Sequence, residues 1–181
     1  PSPPPGFIPP PLNPTGIQLE TRQLSDGVYA LMSNTPFADN AGFIVGESAV
    51  LVIDSHFNGD MGQQIIDAVR AVTDLPIRYL LNTNAFGDHI FGNHVFPDDT
   101  LIVAHQSTID SLRISTVEGI AQTMRGTVNG DLSVFSGVKL RLPDVGFDTV
   151  WSVDLGGRIV EMHWFGAGMS PHDSVVYLPK E

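Results

Sequence analysis

Five consecutive apolar residues, Ala49-Val50-Leu51-Val52-Ile53, constrain this chain most tightly. They follow the turn-type segment Gly46-Glu47-Ser48 and end at Asp54. An uninterrupted apolar run of this length is expected of a strand covered on both faces. Its surroundings predict the covering layers. Residues 16–24 and 27–32 form a hairpin around Ser25-Asp26-Gly27, because Asp-Gly favours a tight turn. Residues 41–45 pair with 49–54. Residues 60–71 then read as a helix, with Met61, Ile65, Ile66, Val69 and Val72 at three-to-four spacing. A second buried strand spans 77–81, a third spans 101–104 and passes into a helix from Gln106, and a further helix covers 117–125. Strands at 149–153, 158–164 and 174–178 close the chain. Strand pairs, then strand and helix in alternation, then strands again predict an α/β (α+β) fold, a mixed sheet with helices outside it.

Residues 1–14 carry eight prolines, which fix φ and remove amide donors, so residues 1–15 are expected to be a polyproline II arm. The arm is either a linker or a strap packing Phe7 and Ile8 onto a neighbour. Residues 16–181 form the folded domain. A chain of 181 residues with 42% hydrophobic and 16% charged residues supports a real core. The net charge of -11, with two lysines and seven arginines, argues against nucleic acid or an anionic membrane as partner and favours a neutral or cationic small molecule. Without cysteine there is neither a disulfide nor a thiolate metal site, and a soluble protein of either the cytoplasm or the exterior is expected. The chain begins at Pro1, so removal of a preceding segment is expected.

The segment with most chemical content is Leu81-Asn82-Thr83-Asn84-Ala85-Phe86-Gly87-Asp88-His89-Ile90-Phe91-Gly92-Asn93. It resembles the Thr-His-x-His-x-Asp-His loop of the metallo-β-lactamase superfamily, with Asn84 and Phe86 at the two leading histidine positions. Three further blocks are similar to that family: Leu24-Ser25-Asp26-Gly27-Val28-Tyr29, Leu51-Val52-Ile53-Asp54-Ser55, and Gly166-Ala167-Gly168-Met169-Ser170-Pro171-His172-Asp173 with the apolar residues after it. The resemblance covers 24–181 and implies half of an αββα sandwich. It further implies a complementary C-terminal half, as a separate chain or a second copy, to cover the sheet.

The resemblance implies a first metal held at the positions of Asn84, Phe86 and Met169. An amide, a phenyl ring and a thioether do not replace three imidazoles at zinc, so the first metal is expected to be lost. The second would use Asp88 and His89, with at most one zinc or iron ion bound, or none. Asp54 is expected to support the loop from behind. Phe86 and Met169 are expected to fill the emptied site and touch each other, since ring and thioether pack well. The remaining pocket candidates are His56, on the same edge as Asp54, and His172, placed to restore a ligand if its loop shifts. His94, His105 and His163 read as structural. Asp88 and His89 have their own local alternative, a helix start with Asp88 as N-cap.

The implied activity is hydrolysis of a small ester, lactone, amide or thioester. The alternatives are a metal-free remodelled enzyme, a lyase or other, with Asp88 and His89 as acid and base, and a non-catalytic binding subunit. An enzyme is the favoured reading.

Overall fold

The computed structural model describes residues 16–36 and 38–180, and the expected arm over 1–15 lies outside them. Strands β1 (Leu19–Ser25), β2 (Val28–Ser33), β3 (Ala41–Val45) and β4 (Val50–Ile53) pair antiparallel in sequence order. Then β5 (Ile77–Asn82), β6 (Leu101–His105) and β7 (Val145–Phe147) continue the same sheet in parallel, giving seven strands in the order β1 to β7. A second, antiparallel sheet holds β8 (Val150–Asp154), β9 (Ile159–His163) and β10 (Val175–Tyr177), with β9 central.

The switch from antiparallel to parallel pairing falls at β4 because helix α1 (Gly59–Arg70) carries the chain across to β5. Asn58 caps that helix, its side-chain oxygen accepting from the Met61 N–H at 3.0 Å. Ile65 and Val69 of α1 then pack with Phe43, Val50, Val52, Leu80 and Ile102 on one face of the large sheet. The other face presents Ile44, Leu51, Leu81 and Val103 to Leu155, Val160 and Met162 of the small sheet region. Neighbours in sequence thus enter opposite layers, as the pleat requires. The apolar run is covered on both faces, as expected.

The layers are helix, seven-stranded sheet, three-stranded sheet. Within the chain, residues of β8–β10 and Leu155 cover Leu51, Leu81 and Val103 on this face. Helices α3 (Gln106–Arg113) and α4 (Val117–Thr123) follow β6, and α2 (Gly87–Ile90) is a single turn after β5. None of the described helices is long and apolar enough to cross a membrane.

Candidate active site

Three connections converge on one end of the large sheet: described residues 34–36 and 38–40 between β2 and β3, 54–58 after β4, and 83–93 after β5. Asp54 extends the β4–β5 ladder, its N–H reaching the Leu81 carbonyl at 2.8 Å, and then turns into the left-handed region at φ 61°. His56 does the same at φ 69°. Such backbone is costly for residues other than glycine and concentrates at functional sites.

The strained turn aims the Asp54 carboxylate under the loop. Oδ1 accepts from the Thr83 N–H at 2.8 Å, and Oδ2 accepts from the Thr83 hydroxyl at 2.7 Å and from His89 Nδ1 at 2.8 Å. A buried amide pair fixes the far end of the loop. Asn82 and Asn93 exchange hydrogen bonds at 3.0 and 2.8 Å, and Ser55 Oγ donates to Asn93 Oδ1 at 2.7 Å. Gly92 lets this end approach so closely, because a Cβ there would lie 2.0 Å from the Ser55 carbonyl oxygen. With these partners satisfied, the network holds one geometry.

Since a carboxylate only accepts, His89 carries its proton on Nδ1 and turns Nε2 outward. Asp39, Asp88 and His89 bring one ligand atom each within 4.8 Å of one another, the one such group of three or more among the described residues. Burial raises the Asp39 carboxyl to about 7, helped by its hydrogen bond to Asp88 and by the Asp88 charge. Burial alone would lower His89, but the Asp54, Asp88 and Asp39 carboxylates outweigh it and raise the imidazole to about 9. Two carboxylate oxygens and one imidazole nitrogen, the latter oriented by an outer carboxylate, are a donor set that could hold a divalent ion.

The other sequence candidates divide. His56 is buried, and its Nε2–H donates to the Asp39 carbonyl at 3.0 Å, while burial lowers its pKa. Asn84 accepts from the Phe86 N–H at 2.9 Å, so its side chain closes a local turn. Phe86 is 40% exposed and Met169 83% exposed. The expected apolar plug at the first metal position is not formed. Met169 lies in a turn that Asp173 organises by accepting from Ser170 N–H and Oγ, which leaves the thioether outside. His172 meets Ser107 Oγ at 3.0 Å and stands apart from the Asp39 group.

Asp88 is not the helix cap. Phe86 holds that position without a side-chain bond, and Asp88 lies in the first turn. His105 stacks on Trp164 and bonds the Asp148 carbonyl, His94 bonds the Phe91 carbonyl, and His163 pairs with Glu161.

Sequence reasoning missed Asp39. It lies in a connection without periodicity, and its neighbours in space are far away in sequence. The one available signal was a carboxylate beside Asn40 immediately before a strand, which does not by itself point to a ligand.

Residues 34–181 match the family model of the metallo-beta-lactamase superfamily. Among solved structures, a metallo-beta-lactamase from Pontibacter korlensis is 19% identical with a TM-score of 0.65, over 90% of this chain and 68% of that one. The stereoselective inverting sec-alkylsulfatase Pisa1 from a Pseudomonas species is 17% identical with a TM-score of 0.70, over 90% of this chain and 30% of that one. At these identities the likeness is one of fold.

Proposed function

The chain belongs to the metallo-β-lactamase superfamily, and from that premise we propose a hydrolase for a small ester, lactone, amide or thioester that works with one metal ion. Asp39, Asp88 and His89 would hold it. The first family site is absent on this reading, since Asn84 uses its oxygen on a backbone amide, Phe86 has no lone pair and Met169 points to solvent. The observation that carries the reading is the convergence of three donor atoms within 4.8 Å beside a histidine whose tautomer Asp54 fixes.

A zinc or iron ion there would polarise a carbonyl group and make water more acidic. The protein's part is positional. Asp54 keeps the His89 ring in plane with its bond, Ser55 and Asn93 hold the loop behind it, and His56 pins the main chain of Asp39. Zinc titration of the metal-free chain, followed by calorimetry, tests the assignment. One ion per chain is expected, with affinity at least about tenfold weaker in Asp39→Asn and lost in His89→Ala. Two ions per chain, or equal affinity in all three proteins, sinks it.

The elevated proton affinity of Asp39 beside a cationic His89 favours a second reading, a metal-free acid–base site. Full turnover of a substrate after exhaustive chelation would select it.

A further inference from the structure

A cavity of about 430 Å³ opens directly beside the loop that carries Asp88 and His89. Ala85 and Phe86 of that loop form one wall, Ile114 and Ile120 form another, and Gly119, His172 and several Ser and Thr side chains line the rest. Its volume lies in the range of small-molecule sites. Its chemistry is unusual for this chain. None of its lining residues is an Asp, Glu, Lys or Arg, although the net charge is -11. Large apolar side chains are left in solvent around it, Phe86 at 40% and Ile114 at 89% exposure. The polar lining consists of Ser and Thr hydroxyls with His172, none of which demands a charged ligand.

We infer that this cavity takes an uncharged hydrocarbon chain of the substrate, so that the reacting group lies toward Asp88 and His89 on the adjoining helical turn. The inference rests on the proposed hydrolase, whose substrate class it narrows. The wall and the donors share one rigid segment. Phe86 is the N-cap of the turn on which Asp88 and His89 stand, and Gly87 lies against α4, where a Cβ would meet Met124 Sδ at 2.4 Å and Ile120 Cγ2 at 3.1 Å. A chain lying along Phe86 and Ile120 is therefore held in fixed relation to the donors. Burying apolar chain against exposed apolar wall supplies the affinity, and a charged chain would lose its hydration without gaining a partner.

The test uses the full chain with isotope-labelled isoleucine methyl groups and 1-octanol as probe. Saturable shifts are expected at Ile114 and Ile120 but not at Ile17 or Ile44, which are buried elsewhere. Affinity should fall about fourfold for each methylene removed from the alcohol. Gly119→Phe should abolish binding, because a Cβ at Gly119 meets nothing closer than Thr116 Oγ1 at 3.3 Å and the ring fills the cavity. Ile114→Asp, at a position too exposed to disturb folding, should weaken binding at least tenfold. Shifts spread over all isoleucines, no saturation, or unchanged binding in both variants overturns the inference. Zinc titration of the same sample reads the donor group separately. Zinc uptake without octanol binding defeats the cavity alone, and octanol binding without zinc uptake defeats the metal reading alone.

Discussion

His89 Nδ1 donates to Asp54 Oδ2 at 2.8 Å across 35 positions of sequence, joining the end of β4 to the loop after β5. Both side chains are largely withdrawn from water, at 17% and 10% exposure. The bond does two things at once. It sets the ring orientation that presents Nε2 to Asp39 and Asp88, and it supplies the charge that keeps His89 protonated in the absence of metal.

Removing that charge should release both effects. In Asp54→Asn the His89 titration, followed by its ring proton shifts, should move down from about 9 toward the ordinary histidine range. Urea unfolding at neutral pH should show a loss of about 3 kcal/mol, as for other broken buried pairs. An unmoved titration would show that Asp54 does not govern the imidazole.

The metal-free chain should be more stable in weak acid than in weak base. Asp39 has a higher pKa folded than unfolded, so its contribution is complete below about 4 and is lost as pH rises through about 7. His89 is also raised, so its contribution is complete below the ordinary histidine value of 6.5 and is lost as pH rises through about 9. Melting temperature should therefore decline between pH 5 and pH 9 on the strength of these two groups, and Asp39→Asn should flatten the lower part of the decline. A rise in melting temperature over that window in the metal-free protein would contradict the electrostatics.

Gly92→Ala should cost about 2 kcal/mol, because its methyl group would lie 2.0 Å from the Ser55 carbonyl oxygen and the amide network would have to part. The midpoint of denaturant unfolding reads this directly. Wild-type stability would mean that the loop approaches less closely.

Two methionines make a controlled comparison. Met162 is fully buried between the sheets, whereas Met169 is 83% exposed. Met162→Ala should lose about 2–5 kcal/mol, and Met169→Ala should stay within about 0.5 kcal/mol of wild type. A large loss at Met169 would restore the plugged-site expectation that its exposure removes.

Local sequence was informative wherever one residue's environment repeats along the chain. The apolar run at β4, the three-to-four spacing of α1 and the Asp26-Gly27 turn each state their structure within a dozen residues, and each formed as expected. β7 was not legible. It is three residues, Val145-Gly146-Phe147, with no alternation to read, and it is a strand because β6 offers it a parallel edge. The covering of the large sheet by β8–β10 was likewise invisible, since short strands do not announce which sheet they will face.

At the site the division is sharper. Sequence alone determined that Asp88 and His89 stand together on the loop after a buried strand, with Asp54 at the end of the preceding one, because these follow from order along the chain. Tertiary structure decided that Asp39 joins them, that Phe86 borders a cavity and that Met169 faces water. A donor set is defined by distances of a few ångströms between segments far apart in sequence. Those distances are set by how the β2–β3 connection crosses the end of the sheet, which no local pattern encodes.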